Sequence, residues 1–163
     1  MLGLRETDEF RSFDIYNDDN IFYKKYDHHS CFSVEYDDPE KVINGDEIIS
    51  SNSEKVTVIF NYPLRSEFRF DLNKSGGNIT RKDFAEFIQS TYRRIYKEEI
   101  EGKKPVGNIP GMDNRLSSDG PYGIWGHHIG DLVVEGVQRI GDNLYSLHMG
   151  SWYIQESCYH KVW

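Results

Sequence analysis

Thr80-Arg81-Lys82-Asp83-Phe84-Ala85-Glu86-Phe87-Ile88-Gln89-Ser90-Thr91-Tyr92-Arg93-Arg94-Ile95-Tyr96 is the stretch that decides the fold. Its apolar members, Phe84, Phe87, Ile88, Tyr92, Ile95 and Tyr96, recur at three- and four-residue steps, the period of an amphipathic helix. Thr80 with Asp83 supplies a capping-box start, because the hydroxyl and the carboxylate can each satisfy an orphan backbone N–H. Gly102 stops the helix, and Lys103, Lys104 and Pro105 follow it. The pattern therefore predicts one long helix over about residues 80–101. A helix with so wide an apolar stripe must cover a sheet face.

The sheet is predicted on both sides of that helix. Lys55-Val56-Thr57-Val58-Ile59-Phe60 is β-branched and aromatic, the strongest strand signal in the chain. After a turn at Asn61-Tyr62-Pro63, Phe68, Phe70 and Leu72 alternate with Glu67, Arg69 and Asp71, which completes an antiparallel hairpin. Beyond the helix, Asp131 to Val137 and Asn143 to Met149 flank a turn at Gly141-Asp142-Asn143 and read as a second hairpin. A further strand is expected at Phe32-Val34-Tyr36, and the aromatic segment from Trp152 to Trp163 reads as another strand or a C-terminal patch. Residues 44–54 read as a loop, and residues 103–121, rich in Gly and Pro, as a long one. The fold class is α+β: a single domain with a mainly antiparallel sheet from two hairpins, covered on one face by one helix.

Length and composition agree with one domain. The chain has 163 residues and a net charge of −8. A chain of this size buries enough surface to fold without metal or disulfide staples. Residues 1–54 carry 5 basic and 14 acidic side chains, and residues 55–163 carry 14 and 13. The excess acidity thus lies ahead of a nearly neutral body. The expected organisation is an acidic aromatic N-terminal arm, 1–28, before a single α+β domain, 29–163. Its aromatic content suits either an arm that packs its rings on the body or one that docks a basic partner protein. Acidity speaks against nucleic acid and anionic membranes as partners. No apolar run approaches the ~20 residues of a membrane span. The start reads as no signal peptide, and the chain as soluble and intracellular. Cys31 and Cys158 are expected as buried thiols.

Several stretches imitate sites. Asp71-Leu72-Asn73-Lys74-Ser75-Gly76 resembles the opening of a calcium loop, but Lys82 stands where the bidentate carboxylate should be. A Gly-Gly turn into the capped helix is the better account. Gly123-Ile124-Trp125-Gly126-His127-His128-Ile129-Gly130-Asp131 is the most unusual stretch. If it is extended, His127 and Asp131 share one face and His128 the other. His127, Asp131, Glu135 and His148 are candidates for a zinc or iron site, and His127 oriented by Asp131 for a general base. The competing reading is a glycine-permitted turn whose histidines bond to backbone and whose Trp125 fills core. His28-His29 beside Asp27 reads as a solvated pair, and Arg93, Arg94, Lys97, Lys103 and Lys104 as a weak case for nucleic acid.

Tyr62-Pro63-Leu64, Phe68-Arg69-Phe70-Asp71-Leu72, Ile79 through Glu99, and Tyr122-Gly123-Ile124-Trp125-Gly126-His127 with Asp131 to Gly136 occur in this order. Over about residues 56–150 this series resembles a family of uncharacterised proteins of giant nucleocytoplasmic DNA viruses, of the marseillevirus or mimivirus kind, and of some algae and protists. The resemblance implies a viral protein of the host cytoplasm or the virion, with the nucleus as a further location through host nuclear factors. It carries no activity or catalytic residues. The expected function is a non-enzymatic protein-interaction module without a cofactor, able to form a homodimer, with Tyr122, Trp125 and His127 as its contact surface. The alternative is a metal- or His-dependent hydrolase using His127, His128, Asp131 and His148.

Overall fold

The computed structural model describes residues 10–13, 15–16, 28–29, 31–102, 105–108 and 116–151. Its strands in chain order are β1 (Phe10–Ser12), β2 (Ile15–Tyr16), β3 (His28–His29), β4 (Phe32–Ser33), β5 (Ile48–Ser51), β6 (Lys55–Phe60), β7 (Phe68–Asn73) and β8 (Asn78–Thr80). The helix α1 (Arg81–Glu101) follows, then β9 (Pro105–Asn108), β10 (Leu116–Ser118), β11 (Leu132–Gly141) and β12 (Leu144–Ser151). The two predicted hairpins, β6–β7 and β11–β12, sit side by side in a sheet of order β1-β11-β12-β6-β7, with β4 also on β11. All pairings are antiparallel except β12–β6, which is parallel, with Tyr145 opposite Val58.

Helix α1 lies on one face of that sheet. Thr80 and Asp83 form the anticipated capping box, each accepting the other's backbone N–H. Phe84, Ile88, Tyr92 and Ile95 are fully buried. Phe84 packs edge-on against Tyr145 at 4.9 Å, and Tyr92 lies 5.0 Å from Phe60. Val56, Val58 and Phe60 face them from β6, while Lys55 and Thr57 stay on the wet side. Each fully buried side chain of this kind contributes roughly 1.5–3 kcal/mol, so the stripe and its sheet partners dominate the fold.

Three readings change. Residues 44–54 are not a bare loop: β5 lies there and pairs with β8. Its residues Ile48 and Ile49 are too few to show a period. Within the long 103–121 loop, β9 and β10 pair across a register shift. The strand expected at Phe32, Val34 and Tyr36 lasts only two residues before a turn that leaves Tyr36 exposed. The segment 152–163 and Cys158 lie outside the described residues; Cys31 is buried.

Residues 10–13, within the stretch read as the arm, join the body. Phe10, Arg11 and Ser12 pair with Gln138, Val137 and Gly136, and Phe13 is fully buried in the core. The buried Arg81 at the start of α1 donates to the Ser12 carbonyl and pairs with Glu47. Gly136 makes the close approach of β1 feasible, since a Cβ there would stand 2.2 Å from the Arg11 carbonyl oxygen. We therefore expect Gly136→Ala to push β1 off the sheet and cost about 1–3 kcal/mol. Chemical denaturation checks it: removing residues 1–13 should destabilise the wild type clearly and the variant much less.

Candidate functional site

Past the last turn of α1, the chain from Ser118 to Asp131 folds onto the helix around one carboxylate. Glu99 is only 2% exposed. Its Oε1 accepts the N–H groups of Gly120 at 2.9 Å and Gly123 at 3.1 Å, and the Ser118 hydroxyl; its Oε2 accepts the Tyr122 N–H at 2.7 Å. Burial alone would raise this carboxyl's pKa. The Ser118 hydroxyl and the three N–H groups outweigh it and hold the group below its ordinary range. Gly120 has no room for a side chain, because a Cβ would lie 2.7 Å from the Glu99 carboxyl carbon. Gly123 turns the chain with a φ of +66°.

Arg65 grips the same loop from its other side. Its guanidinium donates to the carbonyls of Gly120 at 3.2 Å and Pro121 at 2.9 Å, beside Asp119 at 3.7 Å. Next along, Trp125 N–H donates to the Pro63 carbonyl at 3.0 Å. Trp125 is 54% exposed, so it does not fill core as the turn reading expects. Tyr122, by contrast, is buried against Phe68 at 4.9 Å, and its hydroxyl donates to Glu98. Burial and Glu98 push that phenol up to about 12.

His127 is 9% exposed, and its Nε2 lies 2.9 Å from the Tyr62 hydroxyl. The Tyr96 hydroxyl donates to the His127 carbonyl at 2.9 Å, and the Tyr92 hydroxyl to the Tyr62 carbonyl at 2.6 Å. Burial raises both helix phenols well above their usual value, so they act as fixed donors. The chain is not extended here: a short 3-10 turn at Ile129–Asp131 follows His128. Asp131 Oδ2 accepts the His128 N–H at 2.8 Å, and His128 is exposed. His148 belongs elsewhere, on β12 opposite Gly136, with its Nε2 2.8 Å from Gln138 and its ring against Phe10. Among the described residues no three His, Cys, Asp or Glu side chains assemble to hold a metal. Asp71 in the calcium-like stretch instead accepts the Thr57 hydroxyl at 2.8 Å.

The cationic stretch is engaged as well. Arg94 sits over the Phe70 ring and pairs with Glu98, and Arg93 donates to the Glu35 carbonyl. Arg93 and Lys97 line a cleft of about 340 Å³ together with Glu35, Glu101, Ile100 and Ile129, which mixes both charge signs. Lys103 and Lys104 lie outside the described residues. No described helix is long and apolar enough to cross a membrane.

Glu99 and Arg65 are the residues that sequence reasoning missed. A signal for Glu99 was present: it falls four residues after Ile95 and seven after Tyr92, inside the buried stripe where an apolar side chain is expected. Arg65 offered none, since nothing local marks a loop arginine as a clamp. The chain matches no protein-family model, no curated protein and no solved structure.

Glu99→Gln keeps the shape but replaces an acceptor oxygen by an N–H₂ facing backbone donors. A loss of about 2–3 kcal/mol at neutral pH is expected. Because Glu99 is depressed in the folded state, its contribution is complete above its ordinary value of 4.5 and disappears as pH falls below that through the folded value. Urea unfolding at a series of pH values should show the wild type and the variant converging in that acidic window.

Proposed function

We propose that the protein is a non-enzymatic protein-interaction module whose contact surface is built around Trp125. The observation that carries the reading is a tryptophan, Trp125, that is 54% exposed on a backbone held from both sides. Glu99 takes the loop's N–H groups, Arg65 its carbonyls, and Pro63 accepts the N–H of Trp125 itself. A large aromatic on a fixed support loses little freedom on binding, which is what makes tryptophan a frequent interface anchor. Tyr122 and His127 serve this surface from beneath, as buried supports.

Other observations support the same reading. In the stretch that motivates the hydrolase alternative, His127 Nε2 meets the Tyr62 hydroxyl and Asp131 accepts the His128 N–H, while His148 lies on a different part of the sheet beside Gln138. Its acidic N-terminal stretch offers a second contact for a basic protein partner. The family resemblance supports a virus-encoded protein that works in the host cytoplasm or nucleus, or travels in the virion.

Trp125→Ala tests the reading. Its stability should change by less than about 0.5 kcal/mol, as for other surface substitutions. Quantitative affinity capture from host-cell extract should lose a defined set of proteins with Trp125→Ala, and the same set with Glu99→Gln, which loosens the loop. Identical captured sets for wild type and Trp125→Ala would reject the proposal.

A further inference from the structure

The edge strand β7 has a defined hydrogen-bonding phase. Lys74 N–H donates to the Glu54 carbonyl across the β6–β7 hairpin at 2.9 Å, and the register continues as Leu72 opposite Val56 and Phe70 opposite Val58. In an antiparallel ladder, backbone groups alternate in direction along the strand. The N–H and C=O groups of Phe68, Phe70 and Leu72 therefore point to β6, and those of Arg69, Asp71 and Asn73 point away from it. Among the described residues no strand pairs with that outer edge. Natural sheets cover, bend or charge such an edge.

The side chains along the edge are self-complementary. Phe68-Arg69-Phe70-Asp71-Leu72 reads apolar, cation, apolar, anion, apolar. Turned about Phe70, the strand places Arg69 opposite Asp71 of a second copy and Asp71 opposite its Arg69. We propose that β7 pairs antiparallel with β7 of a second copy of this chain, with the two-fold axis at Phe70, to form a sheet continuous across a homodimer. In this register each Arg69–Asp71 pair exchanges both backbone hydrogen bonds, because both residues point outward. The two Phe70 rings meet at a non-hydrogen-bonded position, where opposed side chains approach most closely.

Neighbouring registers fit worse. Centring on Asp71 sets carboxylate against carboxylate, and centring on Arg69 sets guanidinium against guanidinium. Centring on Phe68 pairs Arg69 with Glu67, but β7 begins at Phe68, so little of the strand is used. The side chains of Arg69 and Asp71 are 59% and 45% exposed; Arg69 pairs with Glu67 at 3.0 Å, and Asp71 pairs with Lys55 at 3.4 Å and accepts the Thr57 hydroxyl at 2.8 Å. Such exposed pairs cost little to rearrange. The contact does not depend on the Trp125 reading.

Sedimentation equilibrium over a dilution series, with amide hydrogen exchange on the wild-type chain, tests the proposal. A dimer that dissociates on dilution is expected. Arg69→Glu and Asp71→Arg should each weaken it at least about tenfold, since each converts two attractive cross-strand pairs into repulsive ones. The double variant Arg69→Glu with Asp71→Arg restores opposite charges and should recover most of the affinity. The Arg69 and Asp71 amides should gain protection as concentration rises, whereas Phe70 and Leu72, bonded to β6, are protected throughout. A monomer at the highest attainable concentration overturns the proposal. So does a dimer indifferent to the single swaps, or one in which the Arg69 and Asp71 amides exchange as fast as in the monomer.

Discussion

A carboxylate withdrawn from water near the end of a helix is the constraint from which the rest of this structure follows. Glu99 lies in the last turns of α1, where the helix dipole disfavours negative charge, and it is almost wholly buried. Desolvating such an ion costs several kcal/mol unless hydrogen bonds replace the lost water. The N–H groups of Gly120, Tyr122 and Gly123 and the Ser118 hydroxyl provide them. The loop must therefore present N–H groups inward, which requires glycine at 120 for space and at 123 for its dihedral angle. With the N–H side turned to Glu99, the carbonyls of Gly120 and Pro121 turn to Arg65. The exposure of Trp125 is a consequence of how that backbone is held.

The same logic extends along the helix. Arg81 holds the Ser12 carbonyl, Gln89 the carbonyls of Val34 and Asp37, Tyr92 that of Tyr62, and Tyr96 that of His127. These side chains lie along the apolar stripe and spend their polar ends on the backbone of separate connections. Loop backbone over a core would otherwise carry unpaired polar groups. The helix thus does more than cover the sheet: it fixes the course of the irregular segments around it. The parallel pairing of β12 with β6 completes the body by joining two locally formed hairpins into one sheet.

The candidate site was only partly legible beforehand. Trp125 and the glycines around it stood out by composition, yet an extended segment and a turn were both compatible with Gly123 to Asp131. A turn is found, but with the His127 ring on the Tyr62 hydroxyl rather than on backbone, Asp131 on the His128 N–H, and Trp125 exposed rather than in the core. His127 is committed to Tyr62 and His148 to Gln138 because tertiary neighbours, not spacing, decide what an imidazole meets. Tyr92 and Tyr96 counted as apolar in the helical period, which is right for their rings but says nothing of where their hydroxyls reach.

By itself the sequence determined the local, periodic part of this protein. The helix with its Thr80–Asp83 cap, the two hairpins, and the α+β class all rest on interactions between residues close along the chain. Such patterns survive without knowledge of the rest of the molecule. The tertiary structure alone decided that β1 closes on Gly136, that β12 runs parallel to β6, and that β5 meets β8. It also decided that Glu99 and Arg65 clasp one loop from opposite sides. Each of these joins residues far apart in sequence; apart from Glu99, whose place in the apolar stripe is visible, they rest on backbone groups or a lone loop arginine and leave no distinguishing mark in the order of side chains.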